Sequence, residues 1–220
     1  MSLNIKDRAV FIADAHYPNH NSKLVELLVD IKEGKIGATQ LFLMGDIFDL
    51  LVGSSRYLKE LFKVEIKLID SIAKEVDVIY IEGNHDFNLK SLFKNVKVVP
   101  IEEQPLIIDN IVISHGDKLS TNLRYKIYTK IVRNPFILKL IPDSYAKSKL
   151  KKLSEKEICK EIEKFSLIIE DIKKYYTNSL IIEGHFHQGV VAKNYIGLPS
   201  FACSREYAIF LNGKVTFVEY

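Results

Sequence analysis

Five times along the chain a short apolar run stops at a cluster of Asp, Asn and His, and no other feature constrains the fold as tightly. The run from Ala9 to Ala13 ends at Asp14-Ala15-His16, Leu41-Phe42-Leu43 at Met44-Gly45-Asp46-Ile47-Phe48-Asp49, and the run from Val76 to Ile81 at Gly83-Asn84-His85-Asp86. Ile111-Val112-Ile113 ends at Ser114-His115-Gly116-Asp117, and the run from Ser179 to Ile182 at Gly184-His185-Phe186-His187. Apolar runs of this length read as buried strands, and open α/β sheets place their ligand sites just past the carboxyl ends of strands. Five polar loops are therefore expected to meet at one edge of the fold.

The intervening segments set the fold class. An amphipathic helix is expected from about Ser22 to Glu33, with Leu24, Leu27, Leu28 and Ile31 on one face and Gly34 as its stop. A second is expected from about Arg56 to Glu75. As far as Asp86, strands and helices alternate as in a parallel, right-handed βαβ layer. A hairpin then turns at Asp109-Asn110, and near the end short strands are expected at about 189–195, 200–203, 207–211 and, after Asn212-Gly213, 214–219. The pattern is α/β with α+β character: two packed mixed sheets, helices outside, one domain over residues 1–220.

Residues 118–175 read as an insertion that is helical throughout, broken at Pro135 and Pro142. Ser154 and Glu157 have capping-box spacing, and Ile158, Ile162, Phe165, Ile169 and Ile172 follow as a helical seam. Residues 118–174 carry 15 Lys+Arg against 7 Asp+Glu, a local charge of +8 in a chain whose net charge is +3. Beside two of the polar loops, such a segment suits an anion-attracting lid better than a merely solvated face.

Several classes are excluded. An apolar fraction of 47% is ordinary for a folded globular chain, and no apolar run approaches the length of a membrane span. A net charge of +3, with no basic run interleaved with aromatics, does not suggest nucleic acid. Cys159 and Cys203 have no CxxC spacing, so neither a disulfide framework nor a thiolate zinc site is expected. The N-terminal residues lack the long apolar core of a signal peptide. A cytoplasmic protein is expected, with contact to the inner membrane surface left open.

Five of the six histidines (His16, His85, His115, His185 and His187) lie in the polar loops, and His20 alone lies outside them. An isolated Asp-x-His pair is usually a hydrogen-bonded turn, but five blocks in order, each after a strand, call for a common purpose. Two divalent cations about 3.5 to 4 Å apart need several anionic or imidazole ligands and one carboxylate that touches both. Asp14 and His16 can bind one metal, with His187 returning to it, while Asn84, His115 and His185 can bind the other. Asp46 is the remaining carboxylate, hence the bridge. A mixed oxygen and nitrogen donor set suits Mn²⁺, taken first, or Fe or Zn²⁺, rather than Ca²⁺. Such a pair activates water for in-line attack on phosphorus. His85 is then placed to protonate the leaving oxygen or bind a phosphate oxygen, and Asp49 and Asp86 to hold imidazoles or loops.

The blocks Asp14-x-His16, Gly45-Asp46-x-x-Asp49, Gly83-Asn84-His85-Asp86, His115 and Gly184-His185-x-His187 resemble the calcineurin-like metallophosphoesterase superfamily. The resemblance implies a four-layer αββα sandwich and the metal roles just given. Within that superfamily, His115-Gly116-Asp117 followed by Tyr125, Arg133-Asn134-Pro135 and a basic helical insertion is similar to the UDP-2,3-diacylglucosamine diphosphatases of lipid A synthesis. That similarity implies a nucleotide-linked lipid as substrate, cleaved to UMP and 2,3-diacylglucosamine 1-phosphate. It also implies acyl-chain contacts from Phe136, Ile137, Leu138 and Leu140, and substrate contacts from Asn84, His85, Arg124, Tyr125, Arg133, Lys149 and Lys152. The alternatives are a phosphoesterase for another nucleotide, phosphodiester or phosphoprotein, and a non-catalytic metal-binding scaffold on the same fold.

Overall fold

A computed structural model describes residues 4–20, 23–117, 133–134, 142–177 and 179–220. From the N-terminus, β1 (Ala9–Ile12) leads to α1 (Leu24–Lys32), β2 (Gln40–Leu43) and a two-residue strand, β3 (Leu51–Val52). Helices α2 (Arg56–Leu61) and α3 (Lys63–Ile72) precede β4 (Asp77–Ile81), the short β5 (Asp86–Phe87), β6 (Lys97–Val99), β7 (Leu106–Ile108) and β8 (Ile111–Ser114). After α4 (Asp143–Ser154) and α5 (Phe165–Lys173) come β9 (Leu180–Glu183), β10 (Gln188–Ala192) and β11 (Tyr195–Pro199). The four-residue helix α6 (Phe201–Ser204), β12 (Glu206–Leu211) and β13 (Lys214–Glu219) complete the chain.

Apart from β3 and β5, which pair with each other, the strands form two mixed sheets, ordered β13-β12-β1-β2-β4-β6 and β10-β11-β9-β8-β7. In the first, β1, β2, β4 and β6 run parallel, and β12 and β13 add an antiparallel edge. In the second, β8, β9 and β11 are parallel with antiparallel strands outside. Side-chain alternation along β1 shows how the layers assemble. Val10 and Ile12 pack into one core with Leu24, Leu27 and Leu28 of α1 and Ile66 and Ile69 of α3. Ala9 and Phe11 point the other way, into a core shared with Ile113, Ile182 and Leu198 of the second sheet, where Phe11 and Phe42 stack at 4.5 Å. The far face of the second sheet, through Val112, Ile181 and Tyr195, is covered by Phe165, Ile169 and Ile172 of α5. The result is helix, sheet, sheet, helix, as expected.

Four local expectations are corrected. The helix expected over 56–75 is two helices, broken at Phe62, which sits at φ −104°, ψ 23° and buries its ring in the helix-side core. The strand expected at 200–203 is α6, because the N–H groups of Phe201 and Ala202 turn back to donate to the carbonyls of Ala13 and Asp14. The seam from Ile158 to Ile172 is helical only from Phe165. Ser154 ends α4, its hydroxyl donating to the Lys151 carbonyl instead of forming a capping box, and Lys164 takes a left-handed conformation just before α5. Finally, Cys159 and Cys203 are joined as a disulfide, with Cα atoms 5.5 Å apart and a sequence separation of 44. Spacing carries no trace of this pairing, since only the fold brings the cysteines together.

Candidate metal centre

The loops after β1, β2, β4, β8 and β9 converge at one edge of the two sheets. Asp14, His16, Asp46, His185 and His187 all lie in the left-handed backbone region, with φ between 46° and 62°. A non-glycine residue in that region costs about 1–3 kcal/mol, and such strain gathers where a site dictates side-chain direction. Two glycines allow the loops to close together. A side chain on Gly45, at φ 84°, would collide with the His115 ring, and one on Gly83 would run into Asp46.

Hydrogen bonds fix which ring nitrogens face inward. Nδ1 of His115 lies 2.9 Å from the Met44 carbonyl, and Nδ1 of His187 lies 2.9 Å from the Ile158 carbonyl. A carbonyl oxygen only accepts, so each Nδ1 carries a proton and Nε2 is the ring nitrogen turned inward. Nε2 of His115 points at Asn84 Oδ1 (3.3 Å), Asp46 Oδ2 (3.5 Å) and Nδ1 of His185 (3.3 Å). Nε2 of His187 faces Asp14 Oδ1 (3.2 Å) and Nε2 of His16 (3.4 Å). Both carboxylates are half committed. Asp46 Oδ1 accepts from the His85 N–H at 2.8 Å and Asp14 Oδ2 from the His185 N–H at 2.9 Å, leaving their second oxygens to the histidines. Asp14 Oδ1 is buried without a hydrogen bond of its own. Acceptors crowded this closely repel unless positive charge stands among them. The donor set thus fits divalent cations at Asp14-His16-His187 and at Asp46-His115-His185, the latter with Asn84 alongside, and His16, Asp49 and His85 form a third such group.

Electrostatics agree with that fit. Burial opposes ionisation of Asp46, but His85, His115 and His16 outweigh it and hold the carboxyl well below its ordinary value. For Asp14, burial likewise opposes ionisation and His187 overcomes it. Burial and His115 together push His185 down to about 4, so this imidazole is neutral, with a lone pair to give, at neutral pH.

Behind the clusters lie the groups that hold them. Asp86 accepts from the N–H groups of Asp46 (3.0 Å), Ile47 (2.7 Å) and Gly83 (2.9 Å) and from the Tyr80 hydroxyl (2.7 Å), stitching two loops together. Asp49 approaches Nδ1 of His16 at 3.3 Å, and its carbonyl accepts from Nδ1 of His85 at 2.7 Å. His85 therefore turns its Nε2 toward the cleft, 3.9 Å from Asp46 Oδ2. His20, the one histidine placed outside the blocks, comes within 3.8 Å of Asp49 through its Nε2. Its position four residues after His16, in the same loop, was the available signal. Gln104, which accepts from the His115 N–H at 3.0 Å, left none.

The residues expected at a substrate fare differently. Arg133 is turned inward, with Nη2 donating to the Gly83 carbonyl at 3.0 Å and pairing with Asp117 at 3.1 Å, and it steadies the Asn84 loop. Lys149 and Lys152 lie on α4, half-buried and exposed respectively, without a hydrogen bond or ion pair to the clusters among the described residues. Arg124, Tyr125 and the apolar stretch from Phe136 to Leu140 lie outside the described residues.

Comparison with known proteins agrees with this geometry. The sequence profile of the calcineurin-like phosphoesterases matches residues 8–189. A UDP-2,3-diacylglucosamine hydrolase of Histophilus somni strain 129Pt is 25% identical over 205 residues, covering 85% of this chain and 87% of its own. One from Vibrio cholerae serotype O1 El Tor is 25% identical over 199 residues, covering 83% and 82%. Among solved structures, a dimetal phosphatase from Danio rerio aligns over 97% of both chains at 13% identity, with a TM-score of 0.43.

Proposed function

The chain belongs to the calcineurin-like phosphoesterase family and is a metal-dependent hydrolase; from that premise we propose that it cleaves the diphosphate of UDP-2,3-diacylglucosamine, releasing UMP and 2,3-diacylglucosamine 1-phosphate. The observation that carries the chemistry is the facing of ring nitrogens and carboxylate oxygens across 3.2 to 3.5 Å in two adjacent clusters. The substrate reading rests on the named relatives, matched over more than four fifths of this chain.

In this reading Asp14, His16 and His187 would hold one metal, Asn84, His115 and His185 would hold the other, and Asp46 would serve both. The metal pair, with Mn²⁺ as the first candidate, supplies Lewis acidity and an activated water. The protein's own groups do the rest. Asp49 and Asp86 fix the loops, and Arg133 sets the Asn84 loop through the Gly83 carbonyl. His85, with its proton fixed on Nδ1, offers Nε2 to a phosphoryl oxygen when protonated. A diphosphate departs as a phosphate, whose second pKa is about 6, so it needs little help from an acid. His85 accordingly serves this substrate more by binding than by proton donation. The basic charge of residues 118–174 suits an anionic diphosphate, and the reaction is assigned to the cytoplasmic surface of the inner membrane.

Turnover with Mn²⁺ on UDP-2,3-diacylglucosamine and on bis(p-nitrophenyl) phosphate tests the substrate. The lipid diphosphate is expected to show a kcat/KM at least about 10²-fold higher, because binding of remote groups is spent on the transition state. Fast cleavage of the simple diester with the lipid untouched would leave the hydrolase standing and remove this substrate.

A further inference from the structure

One metal-facing histidine is oriented from outside the five loops. The carbonyl that fixes Nδ1 of His187 belongs to Ile158, in the exposed stretch between α4 and α5 that has neither helix nor strand structure. Three further links hold this stretch against the site. Gln188 Oε1 accepts from the Ile162 N–H at 2.9 Å, Gln188 Nε2 donates to the Lys160 carbonyl at 2.9 Å, and Cys159 is bonded to Cys203. Cys203 lies on α6, which is itself fastened beneath the same cluster. The Phe201 N–H donates to the Ala13 carbonyl at 2.9 Å, and the Ser200 hydroxyl and Ala202 N–H donate to the Asp14 carbonyl at 2.8 and 3.2 Å. The disulfide thus ties the residue next to Ile158 to the turn that presents Asp14. Cys159 is solvent-exposed, open to attack by a thiolate.

We propose that the Cys159–Cys203 disulfide is a redox-controlled tether that keeps the Ile158 carbonyl on His187 and so sets cation affinity at the Asp14-His16-His187 cluster. The inference rests on the reading that the two clusters bind metal. A dithiol supplies the two electrons and two protons of the reduction: it opens the S–S bond, leaves two cysteine thiols and is itself oxidised to a disulfide. The freed stretch then trades one ordered conformation for many, opposed by its two hydrogen bonds with Gln188 and by the packing of Ile162 against the α5 core. His187 loses the partner that fixes its tautomer and ring direction, and such losses weaken metal binding by about 10- to 100-fold. The Asp46-His115-His185 cluster is affected less, because its His115 is oriented by the Met44 carbonyl. In a cytoplasmic setting a disulfide of this kind is expected to be transient and regulatory.

Calorimetric titration with Mn²⁺ tests the tether, using oxidised protein, protein reduced with dithiothreitol and desalted anaerobically, and the double variant Cys159→Ser/Cys203→Ser. Thermal melts confirm that each sample is folded. The expected result is two binding steps in the oxidised protein, one of them weakened by about tenfold or more on reduction and the other clearly less. The double variant should match the reduced protein and ignore dithiothreitol, and Gln188→Ala should weaken the same step in the oxidised protein. Two steps that stay equal, or shift together, on reduction would overturn the tether while leaving the metal centre intact. Oxidised protein that binds no Mn²⁺ would instead overturn both.

Discussion

Replacing Asp46 with alanine is expected to lower kcat/KM by at least about 10³-fold and to strip the protein of both metals. The reason is charge. Two unit charges 4 Å apart interact by about 4 kcal/mol at an effective dielectric constant of 20, and two dications by about four times that, so a pair of metals needs an anion between them. In the proposed centre Asp46 is that anion: Oδ1 is steadied by the His85 N–H, Oδ2 faces His115, and the side chain is almost wholly buried. Asp46→Asn keeps the shape and loses the charge. It should fold, because the Asp46 N–H still reaches Asp86, and it should still lose most metal. Metal analysis after dialysis, alongside turnover, checks both variants. Full occupancy in either one would count against the bridging role.

The second large effect is expected at His85, and it depends on the leaving group. His85→Gln should retain both metals, since Nδ1 is engaged by the Asp49 carbonyl and Nε2 stands off from Asp46 at 3.9 Å. With an alkyl phosphodiester, whose alkoxide leaves poorly, loss of a proton donor should cost about 10³-fold in kcat. With the lipid diphosphate the leaving phosphate is stable, and the loss should shrink to about tenfold, the value of one charged hydrogen bond. Equal losses on the two substrates would contradict the assignment of His85 as chiefly a phosphoryl-binding group for the diphosphate.

What the sequence made legible was everything governed by short-range pattern. The alternation of Val10 and Ile12 against Ala9 and Phe11 already implied a sheet covered on both faces, and five polar blocks at strand ends implied a common edge. The misreadings share a physical cause: long-range contacts override local periodicity. Leu58, Phe62, Ile66 and Ile69 keep helical spacing straight through the break at Phe62, so periodicity does not register the kink. The stretch from Ile158 to Ile162 has helical spacing too, yet it is drawn out by His187, Gln188 and the disulfide, all distant in sequence. The segment 200–203, expected as a strand, is turned into a helix by the backbone of Ala13 and Asp14. Two residues that position the site, Gln104 and Gln188, carry no motif of their own. Their roles come from which backbone group each one reaches.

The central claim is that one carboxylate, Asp46, joins two metals into a single centre. Electron paramagnetic resonance of the protein loaded with two equivalents of Mn²⁺ tests it most directly. A shared ligand couples the two spins, so the account predicts an exchange-coupled spectrum at two equivalents and its loss in Asp46→Asn. Two equivalents that give only the sum of isolated Mn²⁺ signals, unchanged by Asp46→Asn, would contradict it.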